Sequence, residues 1–301
     1  MELALPLQDT CILLDHQSDA GWPRTFALFH DPAAGLVLMH RQGGSVARHV
    51  LPGPLPDGRG TARLCYQFDA PARHWQISLE TLHTEHQVRL GAQGQNPLPM
   101  HMADVQAICT MPFQNGPVLW YGLTRGAAPP KAAAWIGLRT PVETSLGPIA
   151  AGNLKPGDLV RTVDRGLVPL RRVTPMTLPA RGSFAPVLLR SPFFGTHHDL
   201  LVSADQLVAL TGPEAEYLFG EESVLLPAGA LVDGRTALSD NRRAVTGTVV
   251  LELDRPSLIE ANGCVLACGQ DGAGKLPLRS LKAYEVLTLM ALLGRMPRRA
   301  A

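Results

Sequence analysis

Thr144-Ser-Leu-Gly-Pro-Ile-Ala-Ala-Gly-Asn-Leu-Lys-Pro-Gly-Asp-Leu-Val160 packs two turns and the start of a strand into one short stretch. Gly147 and Pro148 make the first turn, since glycine takes backbone angles closed to other residues and proline arrives with its φ already set. Ile149 and Leu154 are the apolar positions that cover a core, and Pro156-Gly157-Asp158 turns the chain into the strand Leu159-Val160-Arg161-Thr162. The same punctuation runs through the whole chain, with 29 glycines and 26 prolines in 301 residues, which suits many short strands and opposes a helical bundle. The expected fold class is mainly β.

Downstream of this stretch, short strands are expected at Val187 to Arg190, Leu200 to Val202, Ser223 to Leu226 and Val249 to Leu253. Only the end of this module reads as helical. Ser280 is the expected N-cap, Leu281, Tyr284, Val286, Leu287, Met290, Leu292 and Leu293 wrap the helix, and Gly294 stops it. Upstream, apolar runs at Cys11, Thr25, Gly35, Ala62, Trp75 and Val118 alternate with Asp31-Pro-Ala-Ala-Gly35, Gln42-Gly-Gly44 and Leu51-Pro-Gly-Pro-Leu-Pro-Asp-Gly58, which read as loops. This is the pattern of an N-terminal antiparallel sandwich, and the alternation Ala72-Arg-His-Trp-Gln-Ile-Ser-Leu-Glu80 resembles lectin-like sandwiches of the laminin-G and concanavalin class. The length fits two modules. The expected division is a sandwich over 1–125, a Pro/Ala linker over 126–134, the second β module over 135–294 and a basic tail over 295–301.

The quoted stretch resembles the opening of Hedgehog/intein (Hint) domains, which begin Thr-x-x-Gly, an apolar position, Leu, then Pro-Gly-Asp-Leu-Val. Asp199-Leu-Leu-Val-Ser-Ala-Asp-Gln-Leu-Val208 is similar to the family's second block. Phe219-Gly-Glu-Glu222 with Leu225 to Val232 is similar to its middle, and Ile259-Glu-Ala-Asn-Gly263 to its end. Leu281-Lys-Ala-Tyr-Glu285 looks like bacterial members, so the resemblance spans about 135 to 290. It implies a β-fold whose chemistry is autocatalytic peptide-bond cleavage.

That chemistry implies a Cys or Ser at the first position, attacking the preceding carbonyl. Counting back from Thr144 places Trp135 there, past Thr140, and an indole carries no nucleophilic oxygen or sulfur. The resemblance also implies Thr-x-x-His, whose imidazole protonates the leaving nitrogen. Here the four residues are Ser203-Ala-Asp-Gln206, and a Gln amide neither takes nor delivers a proton near neutral pH. The terminal His-Asn of inteins corresponds to Ala267-Cys268, and the His that some bacterial members keep before the final strand corresponds to Pro256. With all four chemical positions replaced, the expectation is a catalytically degenerate Hint module with no catalytic residue.

Other constellations are weaker. His197-His198-Asp199 reads as loop decoration, because adjacent residues on a strand face opposite ways. Cys264 and Cys268, four apart with no further ligands, read as small buried hydrophobes. His74, His83, Glu85, His86 and His101 read as solvated positions of the sandwich. No phosphate loop, Gly-x-Ser-x-Gly elbow or His-Glu-x-x-His is present. No cofactor and no metal are therefore expected. A net charge of +1 with 18% charged residues offers no field for nucleic acid. The apolar run at Leu287 to Leu293 is too short to span a membrane. No cleavable signal peptide is read at the N-terminus, and the odd count of five cysteines suits a reducing compartment. A cytoplasmic location is the default, with signal-independent export as the alternative. The expected function is a non-catalytic structural or interaction module attached to a lectin-like sandwich, with a protein or glycan partner. The alternatives are self-cleavage near Trp135 by Thr140, Thr144 or Cys264, and carbohydrate or ligand binding by the sandwich.

Overall fold

The computed structural model describes residues 1–82, 87–111, 116–126, 134–269 and 274–294. The chain divides into two compact units, Met1–Pro129 and Pro130–Ala301. Most of the expected linker, the tail over 295–301, and His83, Glu85 and His86 lie outside the described residues.

The first unit contains β1 (Glu2–Leu5), β2 (Cys11–Ser18), β3 (Arg24–Asp31), β4 (Gly35–Gln42), β5 (Ser45–Leu51), β6 (Gly60–Asp69), β7 (His74–Leu82), β8 (Arg89–Gln95) and β9 (Val118–Trp120), with helix α1 (Met102–Thr110) before β9. Two antiparallel sheets, β2-β3-β4-β5 and β8-β7-β6-β1-β9, share one core. Leu14, Leu28, Leu36, Leu38 and Leu51 from the first meet Leu3, Leu64, Ile77 and Leu79 from the second, with Ile108 of α1 fully buried among them. The predicted loops at 31–35 and 42–44 are tight connections that hold β3-β4 and β4-β5 in register. Gly35 sits at φ +94, and a Cβ there would lie 2.3 Å from the Leu51 carbonyl oxygen, so no larger residue fits. Helix α1 escaped the sequence reading because its nine residues carry no continuous apolar stripe; only Asp104 and Ile108 are buried.

The second unit contains β10 (Ile136–Gly137), β11 (Pro141–Thr144), β12 (Gly147–Ala150), β13 (Leu159–Thr162), β14 (Gly166–Pro169), β15 (Arg172–Pro179), β16 (Val187–Leu189), β17 (Leu200–Val202), β18 (Leu207–Thr211), β19 (Ser223–Pro227), β20 (Ala237–Ser239), β21 (Val245–Glu252), β22 (Ser257–Ala261), β23 (Cys264–Cys268) and β24 (Arg279–Ser280), with helices α2 (Pro213–Phe219) and α3 (Ala283–Leu292). One sheet runs β15-β21-β10-β17-β16-β20 and the other β12-β11-β13-β22-β23-β18-β19-β24, with β14 paired to β13. β15 carries Pro175 at its centre, a residue tolerated there because β15 is the edge of its sheet. Asn262 and Gly263, at φ 49 and 78, make the tight turn between β22 and β23.

Two helical expectations need correction. The end of the module is not its only helix: Pro213 at the first turn and Gly220 in the left-handed region bracket α2. The N-cap of α3 is Lys282 rather than Ser280, because Ser280 ends β24, which pairs in parallel with β19. The Glu285 carboxylate accepts from the Lys282 backbone N–H at 2.8 Å, which is how the helix start is satisfied without a hydroxyl cap. α3 buries one stripe, Val286, Leu289 and Met290, and leaves Tyr284, Leu287 and Leu292 exposed.

Candidate functional site

Ile136 occupies the middle of the first sheet of the second unit, paired with Val202 of β17 on one side and Val249 of β21 on the other. The residue before it, Trp135, is 2% exposed. Its backbone N–H donates to the Ser203 hydroxyl oxygen at 3.1 Å, and its carbonyl accepts from the Ser203 N–H at 3.0 Å. Two positions 68 residues apart in sequence therefore grip one another by main chain and hydroxyl.

Ser203 to Gln206 is the crossover by which the chain leaves β17 in one sheet and enters β18 in the other. Gln206 is buried, and its side-chain amide donates to the carbonyls of Ala267 at 2.8 Å and Leu207 at 3.1 Å. Both amide protons thus meet backbone oxygens, one of β18 and one of β23. Cys268 follows Ala267, and its thiol donates to the Leu251 carbonyl at 3.1 Å. Burial pushes the Cys268 thiol up to about 12 and the Cys264 thiol up to about 11, so both are protonated at neutral pH. Pro256 lies against Gly269, where a Cβ would come within 2.7 Å of the Pro256 Cα. The fold thus brings together Trp135 with Ser203, Gln206 with the Ala267-Cys268 segment, and Pro256 with the residue after Cys268.

Thr140 is buried beyond β10, with its N–H donating to Gly137 and its carbonyl accepting from Ala151. Thr144 stays with its own turn: its hydroxyl donates to the Gly147 carbonyl at 2.6 Å and accepts from the Leu146 N–H. His197, His198 and Asp199 are exposed, and Asp199 caps the Ser191 N–H. Among the described residues no group of three or more His, Cys, Asp or Glu is arranged to hold a metal ion, and no helix is long and apolar enough to cross a membrane.

The sequence reading missed a polar cluster in the first unit. His74 and His101 are exposed, as read, but His40 and His49 are 2% and 3% exposed. The His49 ring stacks on Trp75 at 4.2 Å, and its Nδ1 is 3.0 Å from the Tyr66 hydroxyl. Phe26 meets His40 edge-on at 5.4 Å. Nearby, the buried Asp104 carboxylate takes two hydrogen bonds from Arg24, at 2.8 and 3.1 Å, and lies 3.1 Å from His16. Burial pulls Asp104 upward, and Arg24 and His16 outweigh it, holding the carboxyl below its ordinary value. The signal available in sequence was parity: His16, Phe26, His40, Tyr66 and Trp75 all fall on the alternate positions that face the core.

The profile of a family described as "Hint domain" matches residues 138–269. Among solved structures the chain is similar to the MchDnaB-1 intein, at 16% identity, covering 44% of this chain and 99% of that one with a TM-score of 0.30. It is also similar to the gp41-1 intein, at 13% identity, covering 46% and 100% with a TM-score of 0.29. No curated protein matches the sequence.

Proposed function

Taking as premise that the second unit carries a Hint domain, we propose that this domain is non-catalytic and persists as a folded structural or interaction module, joined to a lectin-like sandwich. The observation that carries the reading is the Trp135–Ser203 pairing beside a Gln206 whose donors are committed to carbonyls. Acyl transfer needs a nucleophile at the junction and a proton donor for the departing nitrogen. Trp135 supplies no nucleophile, and Gln206 donates into the backbone of β23 rather than serving as an acid. The substitute nucleophiles are poorly served: the Thr144 hydroxyl is held in its turn, and Cys264 is buried with its thiol pushed up to about 11. Thr140 is buried.

For the first unit, two antiparallel sheets around a common core support the lectin-like reading, with a protein or glycan as the partner to screen. Intact mass spectrometry of the full chain after long incubation, with and without a strong thiol, tests the proposal. One species at 32.3 kDa is expected. Fragments dividing between residues 134 and 135 would overturn it. The double variant Trp135→Cys, Gln206→His returns thiol and imidazole to the family positions, and thiol-dependent cleavage in that variant alone would attribute inactivity to those two side chains.

A further inference from the structure

The inward face of β2-β3-β4-β5 changes character from row to row. Leu14, Leu28, Leu38 and His49 form one row across the four strands, His16, Phe26, His40 and Ala47 the next, and Ser18, Arg24, Gln42 and Ser45 the last. On β2, β3 and β4 apolar positions thus give way along the strand to polar ones, of which His40 and Arg24 are buried.

The hydrogen bonds in the outer rows fix the tautomer of His40. Trp22 Nε1–H donates to Gln42 Oε1 at 3.3 Å, which orients the amide so that Gln42 Nε2–H points at His40 Nε2, 3.1 Å away. His40 Nε2 is therefore the acceptor and Nδ1 carries the hydrogen. That Nδ1 is buried and meets no hydrogen-bond partner among the described residues. A second proton can enter only at Nε2, where it meets an amide donor instead of an acceptor. His49 is a diagonal neighbour on β5, and its positive charge would oppose that of His40.

The other titratable groups around this end are His16 on β2, Arg24 on β3, Tyr66 on β6, Asp104 on α1 and His101 at the start of α1, whose ring meets Trp22 edge-on at 6.1 Å. Asp104 alone would draw a proton toward His40, but its carboxylate already faces Arg24 and His16. Burial first, and His49 second, lower His40 to about 4, while burial lowers His49.

We propose that this end of the first unit is an acid-operated device: a proton bound at His40 Nε2 displaces the Gln42 hydrogen bond, breaks the Trp22–Gln42–His40 chain and opens the aromatic cluster of Phe26, Tyr66 and Trp75 to solvent. The proton comes from water and leaves by the same route, so the change is reversible and needs no other reactant.

The test is fluorescence of the dye ANS with the full-length chain, titrated from about pH 7.5 to about pH 3.5 and back, so that the interval passes through the value of about 4 to which His40 is lowered. The wild type should show a reversible rise of roughly threefold or more across that interval. His40→Phe removes the titrating ring and should flatten the rise. Gln42→Glu gives the incoming proton an acceptor while still accepting from Trp22, and should also hold the cluster closed. His74→Gln, at an exposed position of β7, should titrate as the wild type does. A flat wild-type titration, or a full rise in Gln42→Glu, overturns the proposal. The second criterion stands even if His40→Phe fails to fold.

Discussion

The two units bury polar groups of opposite kinds. In the first, the buried polar residues are Glu2, Arg24, His30, His40, His49, Thr81 and Asp104, nearly all of which can carry charge. Among the described residues of the second they are Thr140, Thr144, Thr162, Ser203, Gln206, Thr236, Thr246, Thr248, Ser257 and Asn262, with Glu285 the one charged exception. Hydroxyls and amides satisfy the backbone without titrating, so the second unit holds together by groups that are indifferent to pH over most of the scale. Buried histidines and ion pairs make the first unit dependent on protonation state. The same contrast bears on chemistry. At the crossover from β17 to β18, Ser203 and Gln206 hold backbone groups through a hydroxyl and an amide, the feature on which the non-catalytic proposal rests.

The contrast is broken most forcefully at Asp104. Replacing it by alanine leaves the Arg24 guanidinium, 5% exposed, without its carboxylate, and should cost the first unit about 3–5 kcal/mol in chemical denaturation. A smaller loss would mean that water reaches the pair.

Acid should separate the two units next. His40 is lowered by burial from 6.5 to about 4, so below pH 6.5 the unfolded chain binds a proton that the folded unit resists, and stability falls until about pH 4. The loss from this group is at most about 3 kcal/mol. In the second unit, burial raises Asp233, but hydrogen bonds from the Thr236 hydroxyl and from the N–H groups of Arg235, Ala237 and Thr236 prevail and hold it at about 2. Its contribution is complete above 3.8 and fades as pH falls through about 2. Thermal unfolding monitored from neutral pH to about pH 4.5 should therefore lower the first transition and leave the second nearly in place. Parallel movement of both would erase the distinction.

Ser203→Ala sharpens it from the other side. The Trp135 N–H would lose its acceptor in a buried position, costing the second unit about 1–3 kcal/mol with no change in pH dependence. The smallest effect belongs to Leu146→Ser in the turn between β11 and β12. At 88% exposure it should alter stability by less than about 0.5 kcal/mol, measured by the same denaturation.

Much of this molecule is written locally. Pro156-Gly157-Asp158 turns the chain whatever surrounds it, and the alternation around Trp75 declares a half-buried strand, because turn chemistry and strand parity act over a few residues. So the β class, the strands at Leu159, Val187, Leu200, Ser223 and Val249, and the Hint resemblance were legible. Helix α2 and the start of α3 were not, since Lys282 begins α3 only because β24 claims Ser280 by pairing with β19. Nothing near Trp135 in sequence announces that its amide will meet a hydroxyl at residue 203, and nothing near Gln42 announces that Trp22 will orient its amide. Those contacts join residues from separate strands and loops. They exist only once the sheets have closed and excluded water, and only then do they decide which groups carry protons.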